Sequence, residues 1–407
     1  MTFEEAQRRI VAECPPLGVE HVPLSEAAGR VAARSLRAEA DLVPFARSAM
    51  DGFAVRAADI AAGPVELPVA ARSYAERGYV IHAPQTATAI ATGAPIPRGA
   101  DAVLPFEDVE TRDGLIRVAR AVPAGNHVFP PGEDARAGDL LVEAGTRLRP
   151  SMLGLLAAAG HVAVEVYRRP RVALVSTGDE LVAIGATPEY GQIRNSNATV
   201  IAATLQGLGA HIVTSETVGD LRDPLRAALA RALDDADLVV TTGGASVGER
   251  DLVKALLEDL GVEFAFRSWA LRPAKPSAFG RRGSVRVAVL PGNPSSAFVG
   301  LQELVRPALL GLAGHANPVS PRCSARLQGR VRAKPGSTYA CFAEVRLEAG
   351  ALVARPLENQ CSALTRSASR ADGLILMPPG TGTFTSGATV EVDVFDWSLV
   401  TESGRAR

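Results

Sequence analysis

Cysteine is scarce in this 407-residue chain: Cys14, Cys323, Cys341 and Cys361 lie far apart, with no CxxC pair. That excludes a zinc ribbon and a disulfide framework, and fits free buried thiols in a reducing cytoplasm. The six histidines show no HxxxH or HExxH spacing, so a transition metal held on His or Cys has no support. Charge of one sign is lacking too. Lys and Arg number 43 against 44 Asp and Glu, which leaves no basic footprint for nucleic acid or a membrane surface. No apolar run reaches the roughly 18 residues needed to span a bilayer. There is no P-loop, no GxSxG and no Ser/His/Asp arrangement, so covalent hydrolase chemistry has no support. Lysine occurs only at Lys254, Lys275 and Lys334; every other basic side chain is arginine. A lysine kept against that bias is a candidate for a task that a planar guanidinium does poorly.

What is present fits a globular protein of two to four domains, 47% hydrophobic and 21% charged. The opening MTFEEAQRRI, with Thr2 followed by Glu5, reads as a capped helix and not as a signal peptide. Helical patterns are expected at Phe3 to Glu13 and at Ser25 to Ala38. Residues 41–133, punctuated by prolines, read as a small β-rich domain. Residues 1–40 and 134–168, with a helix at Ser151 to Ala159, read together as a discontinuous helical and linker layer. From 169 to 315 apolar strand-like runs alternate with helical patterns, which predicts a doubly wound, largely parallel α/β sheet. Residues 316–407 return to short strands and read as a C-terminal β-barrel.

The chain is organised around Leu238 to Asp251, LVVTTGGASVGERD. A β-branched run breaks at Gly243-Gly244 and re-enters helix after Asp251. Thr242, Gly243, Gly244, Ser246 and Gly248 make a turn whose amides can approach an anion, and Asp251 adds a carboxylate. The same pattern also suits a plain βα turn with a capping Asp. Ligands of such sheets sit beyond the carboxyl ends of the strands. Three more loops fall there: Ser176-Thr177-Gly178-Asp179-Glu180, Val218-Gly219-Asp220, and Pro291-Gly292-Asn293 leading to Ser296. Glu180, Asp220 and Asp251 then offer carboxylate oxygens to Mg²⁺ bridged to a phosphate. Arg272-Pro273-Ala274-Lys275-Pro276 presents two cations from a stiff loop, suited to a tetrahedral oxyanion or equally a solvated connector. Asp51, Thr92 and Asp134 lie in weaker motifs of the β-rich region.

In order, SAMDGFAV, TGAPIP, GADAV, GED, STGDEL, Asn195-Ser196-Asn197, VGD, TTGGASVGERD, RPAKP and LPGNPSSA make the chain resemble the molybdopterin molybdotransferase family, the MoeA type that includes the gephyrin C-terminal domain. The resemblance runs from near residue 5 to near residue 397. It implies an elongated, cytoplasmic homodimer in which the β-rich domain of one subunit approaches the α/β domain of the other. It implies Mg²⁺-dependent insertion of molybdate into adenylated molybdopterin with release of AMP. By the same resemblance, Asp251, Asp220, Glu180, Lys275 and Asp51 are catalytic, with Glu180, Asp220 and Asp251 at the metal. Thr92, Asp134, Arg272, Ser296, Ser362 and Ser367 join the loop residues named above in binding substrate. Expected partners are an upstream molybdopterin adenylyltransferase and recipient molybdoenzymes.

The chain departs from the family pattern in four places. Arg272 and Ala274 stand where the family has Lys and Gly. Val128-Phe129-Pro130-Pro131 lacks the Arg that usually precedes GED. Tyr339 and Glu344 flank Phe342 where arginines are common. The late glycine-serine motif reads Gln360-Cys361-Ser362. Two other functions fit the same motifs: a non-catalytic pterin-binding scaffold, and a Mg²⁺-dependent pterin adenylyltransferase or pyrophosphatase.

Overall fold

The structure is a computed structural model that describes residues 1–74, 78–244, 252–333, 335–380, 382–397 and 400–402. Asp251, Ser246 and Gly248 lie outside these residues.

The central sheet has six strands, here β1 Arg171–Thr177, β2 His211–Val218, β3 Leu238–Thr242, β4 Glu263–Phe266, β5 Ala278–Arg282 and β6 Val285–Leu290. Their order is β2-β1-β3-β6-β5-β4. The first four run parallel, and β5 pairs antiparallel with both β6 and β4. The apolar runs of β1, β3 and β6 are buried on both faces, as helix-covered parallel strands require. One face packs Val172, Leu174 and Val240 against Phe3, Ile10, Ile201 and Leu309. The other packs Ala173, Val175 and Val239 against Leu225, Leu229 and Leu256. The sequence pattern passes over β5, whose AFGRR carries neither alternation nor a β-branched run. It is this strand that turns the sheet's far edge antiparallel.

The helix Phe3–Glu13 forms as its pattern predicts. Thr2 and Glu5 make a reciprocal capping box, and Phe3, Ala6 and Ile10 enter the core of the central sheet. The helix expected at Ser25 to Ala38 is absent. A 3-10 turn at Leu24–Glu26 is followed by Gly29 at φ +74°, by bridges from Val31 to Arg147 and Ala32 to Val166, and by the strand Leu36–Arg37. Gly29 takes a left-handed conformation that ends helical propagation. Pairing with residues 140–167 decides the rest, and no local window contains that information.

The β-rich region holds a six-stranded sheet over its own core of Phe53, Val55, Leu67, Leu104 and Ile116. In the C-terminal region Arg322–Leu327, Thr338–Glu348, Ala351–Pro356, Gly373–Met377 and Thr389–Val394 pair in a ring, a closed barrel without free edges between them. Several contacts tie the barrel to the sheet layer. Leu271–Arg272 pairs with Thr338–Tyr339. Glu303, in the π-helical turn Leu301–Val305, is buried against Asp393 and takes a 2.9 Å hydrogen bond from Gln7 Nε2. Burial first, then the Asp393 charge, pushes the Glu303 carboxyl up to about 8. Of the cysteines, Cys14 and Cys341 are buried, and burial pushes both thiols up to about 12; Cys361 is exposed. Among the described residues no helix is long and apolar enough to cross a membrane.

Candidate active site

The chain leaves β1, goes to β2 on one side, and returns to β3 on the other. The crevice at the carboxyl ends of β1 and β3 is therefore the topological switch point of the sheet. A cavity of about 630 Å³ opens there. Thr177, Gly178 and Glu180 reach it from the end of β1, Asp220 from β2, Thr242 to Gly244 from β3, and Pro291 to Pro294 with Ser296 from β6.

Side-chain hydrogen bonds fix these loops to one another. Thr177 Oγ1 donates to Asp220 Oδ1 at 2.7 Å, and the Asp220 N–H donates to Asp179 Oδ1 at 2.9 Å. Asn195 caps the helix Ser196–Gly207 by accepting from the Ala198 N–H, and its Nδ2 donates to Thr217 Oγ1. Asn197 Nδ2 donates to Thr242 Oγ1 at 3.0 Å and to the Gly292 carbonyl at 2.8 Å. Thr242 Oγ1 in turn donates to the Pro291 carbonyl. The turns after β3 and β6 are thus locked together through one helix start. Gly243 sits at φ +93°, and a Cβ there would lie 2.0 Å from the Thr177 carbonyl oxygen. Only glycine lets these two strand ends approach so closely.

Glu180 and Asp220 bring two carboxylates to one wall. A single arginine or lysine joins them among the described lining residues, Arg194. Its Nε donates to the Ile184 carbonyl at 2.9 Å, which anchors the guanidinium beside the opening. Two carboxylates suit Mg²⁺, which binds through one or two of them plus substrate phosphates. Among the described residues no three His, Cys, Asp or Glu side chains gather as a metal cluster.

The other expected site residues fall elsewhere. Arg272 and Lys275 are exposed and off the wall, although the next residue, Pro276, lines it. Ser176 is buried with its hydroxyl unpartnered among the described residues, because strand alternation turns it away from Thr177. Ser362 does not line the cavity, but its carbonyl accepts from the Ser295 N–H, and Ala363 beside it does line it. Ser367 is buried in the barrel region and donates to the Asn359 carbonyl. Asp51 accepts the Thr92 N–H at 2.8 Å and lines a separate cleft of about 400 Å³ in the β-rich region. Asp134 is exposed. Arg194, Asn195 and Asn197 were not among the expected site residues; an Arg-Asn-Ser-Asn run that opens a helix, beside the strand-end loops, is the signal that could have singled them out.

Family models match most of the chain: the MoeA N-terminal region (domain I and II) over residues 1–160, a probable molybdopterin binding domain over 173–311, and the MoeA C-terminal region (domain IV) over 324–395. The chain belongs to the MoeA family. It is 32% identical over 410 residues to the molybdopterin molybdenumtransferase of Haemophilus influenzae, covering 98% of this chain and 100% of that one. It is 36% identical to the molybdopterin molybdenumtransferase of Synechococcus elongatus, covering 96% and 99%. The crystal structure of a molybdopterin biosynthesis MoeA protein from Pyrococcus horikoshii superposes with a TM-score of 0.82 at 32% identity, over 97% of this chain and 99% of that one. Apart from Ala363, the residues that line the cavity fall inside the match to the probable molybdopterin binding domain.

Proposed function

We propose that this MoeA-family chain is a molybdopterin molybdenumtransferase, which inserts molybdate into adenylated molybdopterin and releases AMP in a Mg²⁺-dependent step. One observation carries the reading: Glu180, Asp220, Arg194 and the glycine turns of β3 and β6 share a single cavity. The opening is large enough for a pterin with its phosphate, and small-molecule sites typically run from about 300 to 1,000 Å³. Its lining is about equally polar and apolar and includes Gly243 and Gly292, which suits a ligand that joins a flat ring to hydrogen-bonding groups.

The chain supplies position and charge, since the dithiolene of the substrate is its own nucleophile. Glu180 and Asp220 would hold Mg²⁺, which neutralises phosphate charge when bound. Thr177 holds one Asp220 oxygen in place, so that carboxylate is oriented before substrate arrives. Arg194 offers its free guanidinium nitrogens to the phosphate. Asn197 keeps the two glycine turns in register, so both turns face the same cavity. We place Asp51 and Thr92 at the partner subunit's cavity in a homodimer, which accounts for a paired loop that lies beside a cleft of its own.

The test is a single-turnover assay with purified protein, adenylated molybdopterin, Mg²⁺ and molybdate. The reading expects AMP to be released on adding molybdate. Absence of AMP under those conditions, or ATP consumption with free molybdopterin, would overturn it.

A further inference from the structure

Glu180 and Asp220 share one cavity wall but follow different strands, β1 and β2, so their spacing depends on what ties the two loops together. Asp220 stands two residues past β2 and two before the helix Arg222–Asp235, and belongs to neither. No strand ladder or helical bond fixes it. Thr177 Oγ1 holds its side chain. Asp179 holds its main chain: the Asp220 N–H donates to Asp179 Oδ1 at 2.9 Å and has no other acceptor among the described residues.

Asp179 and Glu180 are the two central residues of one β-turn, closed by the Leu181 N–H on the Gly178 carbonyl. Their side chains do different work. Glu180 folds back over Gly178, where a Cβ would lie 2.6 Å from its Oε2, and lines the cavity. Asp179 is exposed, does not line the cavity, and reaches across to the loop after β2. Gly219 permits that reach. A Cβ there would lie 2.7 Å from Asp179 Oδ1, and apart from the adjoining residues only Asp179 comes within 4 Å of it among the described residues.

We propose that Asp179 is a positioning residue for the reaction: through the Asp220 N–H it sets the spacing of the Asp220 and Glu180 carboxylates, and so their fit to a divalent cation. The assignment rests on the function proposed above. The turn that delivers one carboxylate thereby anchors the loop that carries the other. What counts is a hydrogen-bond acceptor at Oδ1, not the charge behind it. Misplacing a reacting group by about 1 Å costs on the order of 10²-fold, and groups that orient metal ligands are typically worth about 10–100-fold.

Two measurements on the full chain test it. One is Mn²⁺ binding in the presence of AMP, with free Mn²⁺ counted by EPR, since Mn²⁺ favours the same oxygen ligands as Mg²⁺. The other is single-turnover AMP release as a function of Mg²⁺. D179A should weaken Mn²⁺ binding about tenfold and raise the half-saturating Mg²⁺ by about the same factor, with pterin affinity held within about twofold. D179N keeps an acceptor oxygen and should return both values to within about threefold of the unsubstituted chain. G219A should copy D179A, because its methyl displaces the Asp179 carboxylate, and D179A/G219A should fall no further than D179A alone. The proposal is overturned by D179A behaving as the unsubstituted chain, or by D179N as impaired as D179A, which would assign the effect to charge. Additive losses in the double variant, an equal loss of pterin affinity in D179A, or undiminished Mn²⁺ binding by D220N would also overturn it. An unsubstituted chain that releases no AMP removes the enzymatic reading, and the Mn²⁺ series then decides the role of Asp179 by itself.

Discussion

Thr177 ends one strand, Asp220 stands two residues past the end of its neighbour, and the threonine hydroxyl donates a 2.7 Å hydrogen bond to the aspartate. The bond uses one carboxylate oxygen and leaves the other for a ligand at the cavity wall. Replacing Thr177 with Val keeps the shape and removes the donor. Groups that orient a metal-binding carboxylate are typically worth about 10–100-fold in activity. We expect T177V to slow AMP release by that order while pterin affinity changes little, measured by single-turnover rates beside equilibrium binding. Equal losses in both would mean that the hydroxyl shapes the pocket instead.

Gly243 should tolerate no side chain. An alanine there meets the Thr177 carbonyl at 2.0 Å and must hold φ near +93°. Backbone strain of this kind costs roughly 1–3 kcal/mol before any clash is counted. G243A is expected to lower the thermal unfolding midpoint and to abolish pterin binding, because the strands that open the cavity are forced apart.

Ala274 presents the reverse case. It is buried at φ +89°, a conformation that suits glycine, while its carbonyl accepts from Trp269 Nε1 and Ser277 Oγ. Left-handed backbone costs a non-glycine residue about 1–2 kcal/mol, and glycine returns part of that as unfolded-chain entropy. A274G should therefore stabilise the chain by about 1 kcal/mol or less, read from urea unfolding. A loss of stability would show that the methyl group packs better than the strain suggests.

The buried pair Glu303 and Asp393 makes stability depend on pH. Burial raises both carboxyls above their ordinary values, Glu303 from 4.5 to about 8. The unfolded chain releases these protons at lower pH than the folded chain does. Stability is thus whole in acid and falls as pH rises from about 4.5 to about 8. Arg306 and Arg322 face the pair and limit the fall, and Gln7 continues to donate to Glu303. E303Q keeps the shape and removes the proton, so its midpoint should vary less over that range and exceed that of the unsubstituted chain at pH 8. Parallel curves for the two proteins would dismiss the pair as the cause.

Local chemistry carried much of this molecule. Capping by Thr2 and Glu5, the apolar runs of β1, β3 and β6, and the glycine break after Thr242 are each legible within a few residues, because strand, turn and helix start are short-range choices. They also indicated that Glu180 and Asp220 would meet, since parallel strands deliver their following loops to one edge. Long-range pairing decided the remainder. Residues 25–38 read as helix and became bridges and strand because their partners lie more than a hundred residues away. Lys275, conspicuous for its rarity, stands off the wall, while Arg194, one arginine among many, lines it. The sequence by itself determined the buried strands β1, β3 and β6 and which residue types could bind an anion. Which cations face which recess was settled only when the sheet and barrel packed, because a side chain's direction depends on the register of its strand and the loop beside it, and those are set by contacts distant in the chain.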